Sequence, residues 1–376
     1  MATRRIGLIV NPIAGMGGSV GLKGTDGANV LSEARRRGAE PACGLRVVRA
    51  LTEMVSLRDN FTVLTVGGAM GGEAAQAAGL VPELVTDASV QSSAIDTRAA
   101  VHKLMELGAE LILFGGGDGT ARDIHAVVGL AVPMLGIPSG VKMQSGVFAT
   151  SPSAAGRLAA LSLDARAGHG LRLKEVEIMD IDEDIAGSGR ISARLYGYAR
   201  APFERLLLQQ AKTGAVPGDD AEVASAAHGI AREMKAGVFH VIGPGHSAKQ
   251  VLNALGLQGA LLGIDLVKDG RLAGSDLSAG QLSSLCASGP VRIVVGVTGG
   301  QGFVFGRGNQ QIATDVIGKA GREGLVIIAG RRKLATFTDA RLLVDTGDAA
   351  LDAALAGHFR VRCGADQWAV MRLAPA

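Results

Sequence analysis

Short apolar runs, each closed by glycine or polar residues, alternate with stretches of helical spacing through the first 150 residues. Ile6–Val10 predicts a buried strand, followed by a glycine-rich loop from Asn11 to Gly27. Helical spacing covers Ala28–Arg37 and Leu45–Arg58, with Thr62–Val66 as a second strand. Ile95–Leu107 predicts a helix capped by Ser93 and stopped by Gly108. Leu111–Phe114 predicts a third strand, followed by a helix starting near Thr120 and a fourth strand at Val132–Ile137. Strands that are apolar at nearly every position, separated by helices, predict a parallel sheet covered on both faces.

The rhythm changes after about residue 170. Glu175–Ile181 and Arg190–Tyr198 predict a hairpin, and helices are expected between Asp219 and Lys235 and at Ala248–Leu255. Leu261–Val267 and the segment around Leu272 flank Lys268-Asp269-Gly270, whose Asp-Gly step is a strong hairpin signal. Further strands are expected at Val291–Val297, Phe303–Phe305, Leu325–Ile328, Arg341–Val344, Phe359–Arg362 and Trp368–Arg372, with Asp345–Asp348 as a turn. The expected division is an α/β domain over 1–165 and a strand-rich domain over 166–376, with the last strands free to return to the first domain. The apolar character of the strand-rich half predicts a homo-oligomer.

Composition narrows the function classes. The 376 residues are 47% hydrophobic and 19% charged with net charge +3, which excludes a disordered chain and a broad basic surface for nucleic acid. Arg35-Arg36-Arg37 reads as a solvated helix end. Three dispersed cysteines and seven scattered histidines fit no disulfide framework and no zinc site, which predicts a cytoplasmic, reducing location. The first apolar run ends at Asn11-Pro12, shorter than the ~7–15 residues of a secretory core. No run approaches the ~20 residues needed to span a bilayer, so a soluble protein with no membrane partner is expected.

The 55 glycines gather in discrete loops, where backbone can approach a ligand closely. In LILFGGGDGT (111–120) an apolar strand runs into glycines and then a helix. Gly116, Gly117, Gly119 and Thr120 there offer backbone N–H groups to an anion at a helix N-terminus. Asp118, a carboxylate amid phosphate ligands, is a candidate general base or Mg²⁺ ligand, against a plain capping role. The VNPIAGMGG loop (10–18) brings Asn11 and Gly15, with Lys23 beyond, to a second strand end; the alternative is a merely flexible loop. GIPSGVKMQSG (136–146) brings Ser139, Gly140, Lys142 and Ser145 to the same rim. Neither glycine loop fits G-x-G-x-x-G, since Thr120 and Val20 stand where glycine is required, and neither fits the Walker pattern.

Taken in order, these segments resemble the superfamily of NAD kinases, diacylglycerol and sphingosine kinases and, more distantly, phosphofructokinases. GIPSGVKMQSGVFATSP and GGQGFVFGRGNQQI look like the ATP-NAD-kinase-like branch that includes the AcoX proteins of acetoin-catabolism operons. The resemblance implies an NAD-kinase-like α/β fold, with an N-terminal Rossmann-like parallel sheet, a strand-rich C-terminal domain and a nucleotide cleft between them. It implies phosphoryl transfer from ATP or polyphosphate to the 2′-hydroxyl of NAD, with nucleotides as partners. Mg²⁺ would be held through the phosphates, with Asp118 a further candidate ligand. Asp118 would take the hydroxyl proton, and the glycines with Thr120 would hold phosphates.

Two departures stand beside this. No Asn-Glu dipeptide, the pair that grips the dinucleotide in NAD kinases, occurs in the chain. Their Thr-Pro-Thr-Gly-Ser-Thr loop is replaced by IGPGHSAK (242–249), where Ser247 and Lys249 could still meet a phosphate. A kinase for another small-molecule or lipid hydroxyl and a non-catalytic nucleotide-binding protein are therefore the competing expectations.

Weaker signals remain open at this level. Arg307, Asn309 and Gln310 in the second glycine-rich turn are candidate phosphate and nucleotide contacts, or a simple turn. Asp180, Asp182, Glu183 and Asp184 read as a solvated strand end before a cation site. Arg122, Asp123 and His125 either pair structurally or line the site.

Overall fold

The structure is a computed structural model that describes residues 3–22, 28–87, 92–141, 143–163, 172–181, 193–204, 207–208, 219–298, 300–306, 308–337 and 340–376. The chain forms two compact units. The first takes residues 1–16, 24–31 and 40–211, and the second 17–23, 32–39 and 212–376.

In the first unit, β1 (Arg4–Val10), β2 (Phe61–Val66), β3 (Glu83–Thr86), β4 (Leu111–Gly116) and β5 (Met134–Pro138) form a sheet of order β3-β2-β1-β4-β5. Every neighbouring pair in it is parallel. Central strands read as continuous apolar runs because both faces are buried: Leu8, Ile9, Val10 and Leu111 through Phe114 all lie in one core. β3 escapes the sequence reading because it is an edge strand with mostly exposed residues, so no apolar run marks it. The order reverses between β1 and β4, whose carboxyl ends lie side by side with Val10 opposite Gly115. That reversal is the usual place for a ligand in an open α/β sheet.

Helix ends follow local chemistry. Ser93 caps Ala94–Glu106 through a reciprocal box with Asp96, as its spacing predicts. The helix after β4 starts at Asp118, two residues earlier than expected, because Gly117 supplies the extended cap. The expected helix over 45–58 divides into Cys43–Thr52 and a 3₁₀ turn at Val55–Asn60, where the chain tightens after Glu53.

After β5 the chain doubles back. Gly136 donates to Val147 and accepts from Ala149, so residues 147–149 run along the open edge of β5. Phe148 then meets Phe114 edge to face, with ring centres 5.5 Å apart. This return path fixes where residues 143–146 lie. The helix Pro152–Leu163 follows, and an added Cβ at Gly156 would stand 2.0 Å from the Ala50 carbonyl oxygen of Cys43–Thr52.

The hairpin is present as β6 (Leu173–Ile181) and β7 (Ala193–Pro202), and it belongs to the first unit although the sequence reading assigns it to the second domain. Its pairing shifts register at Ile178/Met179, which leaves Tyr196 bulged. Gly146 donates to Glu177 at 2.9 Å and so joins the return loop to β6.

The second unit is built on a nine-stranded sheet of order β10-β9-β8-β11-β13-β15-β16-β14-β12. Its strands are β8 (Phe239–Ile242), β9 (Asp265–Lys268), β10 (Arg271–Gly274), β11 (Val291–Gly296), β12 (Phe303–Phe305), β13 (Leu325–Ile328), β14 (Arg341–Val344), β15 (Gly357–Gly364) and β16 (Gln367–Pro375). β8, β11, β13 and β15 are mutually parallel neighbours, and β9–β10 and β15–β16 are antiparallel pairs. Alternate residues feed two cores. Val241, Ile293, Val295 and Ile327 face one, and Ile242, Val294 and Ile328 face the other with the helices Asp220–Arg232 and His246–Ala254. β8 is a strand the sequence reading omits. Asp269 and Gly270 both adopt positive φ (51° and 72°), the conformation the Asp-Gly step predicts between β9 and β10. The last two strands lie inside this second sheet.

The close crossing at Gly156 gives a direct check. Gly156→Ala forces a methyl into a backbone carbonyl that cannot turn aside, and is expected to lower stability by about 1–3 kcal/mol. A lower urea midpoint at unchanged slope is the expected result; a wild-type midpoint would refute the crossing.

Candidate functional site

Three loops meet at the carboxyl edge of the first sheet. The loop after β1 begins at Asn11, whose backbone N–H bonds Gly115 at 2.9 Å and whose side-chain amide donates to Thr120 Oγ1 at 3.0 Å. Its own Oδ1 accepts the Ile13 N–H at 3.3 Å, which turns the loop. Gly15 has φ +79°, and a Cβ there would lie 2.0 Å from the Ser139 carbonyl oxygen, so glycine is required on both grounds. Ser139 donates its N–H to Gly116, and Gly117 lies against Gly140. Asn11, Gly15, Gly116, Gly117, Thr120 and Gly140 are therefore brought together. Gly119 lies in the first turn of Asp118–Val128.

Asp118 is the centre of this cluster and is 5% exposed. Its Oδ2 accepts the Gln144 N–H at 2.7 Å. Its Oδ1 accepts the Ser145 N–H at 3.0 Å and the Ser145 hydroxyl at 2.7 Å. Burial pushes its carboxyl up to about 6, while the Ser145 and Gln144 bonds pull down and the Asp180 charge pushes further up. Burial prevails, which leaves the group poised between acid and base near neutral pH.

The sequence reading offers Ser145 as a phosphate or nucleotide contact. In the structure its hydroxyl also meets the Met179 carbonyl at 2.9 Å and accepts the Met179 N–H at 3.0 Å, so it serves Asp118 and β6 instead. Asp180 is no free strand end: it pairs with Arg122 at 2.8 Å, and that guanidinium also lies over the Tyr196 ring. Asp123 pairs with Arg98 at 2.8 Å. His125 sits against Gly197, and burial holds its imidazole below the usual value. The sequence reading missed the backbone N–H of Gln144 and the backbone of Met179. No residue type marks them; only the neighbouring Ser145 hints at a polar strand edge.

In the second unit the candidates serve other ends. Asn309 donates to the Val304 carbonyl at 2.8 Å and accepts the Gly306 N–H at 3.0 Å, closing its own turn. Gln310 is half-buried beside it, with its Oε1 unbonded among the described residues. Lys249 is the clearest correction. Its ammonium is buried and bonds Asp265 at 2.5 Å, so it faces a carboxylate instead of a phosphate. Asp265 further accepts from Ser275 Oγ, the Asp276 N–H and the Ala260 N–H. Burial lowers the Lys249 pKa and the Asp265 contact opposes the shift. Lys23, Lys142, Arg307, Asp182, Glu183 and Asp184 lie outside the described residues.

Among the described residues no group of three or more His, Cys, Asp or Glu side chains is placed to hold a metal ion. Both Asp118 oxygens accept N–H or O–H bonds, which suits the carboxylate to hydrogen bonding more than to a cation.

Comparison with known families settles the broader kinship. A profile for the ATP-NAD kinase N-terminal domain matches residues 6–166, and one for the ATP-NAD kinase C-terminal domain matches residues 237–373. The chain belongs to the NAD-kinase-like family. A search of curated proteins found no match. Family membership accounts for the two-domain α/β fold, and it points to a kinase-type phosphotransferase with nucleotide substrates. None of the helices among the described residues is long and apolar enough to cross a membrane.

The Lys249–Asp265 assignment is testable. Asp265→Ala strands a buried ammonium and is expected to cost about 3–5 kcal/mol, whereas Lys249→Met with Asp265→Leu is expected to cost much less. Chemical denaturation of the three proteins measures both; equal, small losses would place the pair at the surface.

Proposed function

We propose that this protein transfers a terminal phosphoryl group from ATP or inorganic polyphosphate to the 2′-hydroxyl of NAD(H). The observation that carries the reading is Asp118, a buried carboxylate raised toward neutrality at the reversal between β1 and β4. In the proposed step the acceptor oxygen bonds to phosphorus while its proton passes to Asp118. The bond from phosphorus to the donor's bridging oxygen breaks, and ADP or a shortened polyphosphate leaves. Backbone N–H groups of Gly116, Gly117, Gly119 and Gly140, with the Asn11–Thr120 pair holding two loops together, support phosphate oxygens that gain charge. Mg²⁺ brought with the donor phosphates would supply neutralising charge there. Phosphate contacts from Lys142 and Arg307, a homo-oligomer, a cytoplasmic location and placement in the AcoX-type branch belong to the same proposal.

One observation favours a second reading. Three hydrogen bonds already clasp Asp118 to residues 144–145, so it could serve chiefly to hold that loop in a nucleotide-binding protein without turnover.

A Mg²⁺-dependent assay with NAD, offering ATP and polyphosphate separately and detecting NADP, separates the two. A kinase is expected to lose at least about 10²-fold in kcat on Asp118→Asn. A binding protein forms no product, and its nucleotide affinity is nearly unchanged by the same substitution in calorimetry. The sign of the pH effect follows from the raised pKa: the base must be ionised, so kcat falls as pH drops through about 6. A pH-independent kcat between 5 and 7 (about one unit either side) would remove Asp118 from the proton transfer.

A further inference from the structure

Ser145 carries one hydroxyl hydrogen and stands within bonding distance of two acceptors. Asp118 Oδ1 is 2.7 Å away and the Met179 carbonyl oxygen 2.9 Å, while the Met179 N–H donates to the same hydroxyl oxygen at 3.0 Å. A hydroxyl offers one donor and two lone pairs, so it serves one of these acceptors at a time. With Asp118 ionised, the hydrogen belongs on Oδ1, because a bond to a charged oxygen is roughly twice as strong as one to a neutral carbonyl. With a proton on Oδ1, Asp118 becomes the donor. The Ser145 oxygen then accepts from Asp118 and from the Met179 N–H, filling both lone pairs, and its own hydrogen turns to the Met179 carbonyl. With Asp118 ionised the Met179 carbonyl gives up the hydroxyl hydrogen, and with Asp118 protonated all three groups of the triad are bonded.

The surroundings hold the triad in place. Met179 lies at the register shift of the β6–β7 hairpin, where the strand edge is bent and its N–H and C=O are presented together to one side chain. The bond from Gly146 to Glu177 fixes the loop on the same strand. The charge that bears on Asp118 is that of Asp180, and further titratable groups stand on the elements beside it. Asp180 and Glu177 stand on β6, Arg122 and His125 on the helix that Asp118 begins, and Tyr196 on β7. Arg122 pairs with Asp180, so that carboxylate already has its counter-charge.

We propose that Ser145 is a positioning residue whose hydroxyl hydrogen switches between Asp118 and the Met179 carbonyl as Asp118 loses and gains a proton. The proposal rests on the reading of Asp118 as the proton acceptor. On that reading the switch lets the carboxyl group take up and release the substrate proton without rearranging its backbone ligands. The serine hydrogen moves by one rotation about the Cβ–Oγ bond, and no bond to carbon or phosphorus changes in the switch itself.

The test titrates Asp118 directly in the full-length protein. Carboxyl-¹³C aspartate labelling, with the Asp118 resonance assigned by its loss in Asp118→Asn, follows the group across the acidic and neutral range. Loss of a hydrogen bond to the charged form in Ser145→Ala is expected to raise the Asp118 midpoint by about one unit. Ser145→Thr, which keeps the hydroxyl, is expected to restore it. An unchanged midpoint in Ser145→Ala, or an equal rise in the alanine and threonine variants, would overturn the proposal. Should the alanine variant fail to fold, Ser145→Cys, with its weaker donor, takes its place with the same expected direction. The pH dependence of kcat is then measured on the same proteins, and its limb is expected to move with the midpoint, lowering kcat about fivefold near pH 6 and about tenfold well below it. If the midpoint moves and the limb does not, the hydroxyl switch stands and Asp118 as base fails; if no variant forms product, the titration alone still decides the switch.

Discussion

A carboxylate removed from water must be paid back in hydrogen bonds, and in this protein that requirement organises the loops around Asp118. Two backbone N–H groups and one hydroxyl converge on it from residues 144–145. Those donors are available only because the chain turns back after β5 and runs along its edge, a path fixed by Gly136 and by Phe148 against Phe114. The same loop is bonded to β6 through Gly146 and Ser145, which draws the hairpin into the first unit. A single buried charge thus links the central sheet, the return loop and the hairpin.

Much of this was legible in the sequence, for identifiable reasons. Continuous apolar runs gave the central strands, because burial on both faces leaves no polar alternation to confuse them. Glycine clusters gave the loops at the carboxyl edge, and Asp269-Gly270 gave a turn whose positive φ values follow from the residue types. What escaped had no side-chain signature. β3 is an exposed edge strand, and the Gln144 N–H is a backbone group that any residue would offer. Lys249 misled because a lysine after a glycine loop suggests a phosphate. Its true partner, Asp265, lies sixteen residues away, and only the β8–β9 pairing of Ile242 with Asp265 brings it near.

That pair also illuminates the departure from the family's hydroxyl-rich loop. Asp265, itself fully buried, gathers an ammonium, a hydroxyl and two backbone N–H groups. Such a fully bonded ionic cluster ties the start of His246–Ala254 to β9 and to the segment after β10. Lys249 in this loop is therefore committed to holding the second unit together.

The position of β1 has a consequence for how the chain is made. Of the five strands of its sheet this one is synthesised before the others, yet it lies at the centre, between β2 and β4. Its partner β2 arrives some fifty residues later, and β4 only when residues 111–116 have emerged. Until then Leu8, Ile9 and Val10 have one hydrogen-bonded edge and no complete cover. Non-local parallel pairing of this kind closes slowly and leaves apolar surface exposed meanwhile. The strand order that sets β1 beside β4 thus also makes the newborn β1 segment dependent on sequence a hundred residues downstream, and on whatever shields it while it waits.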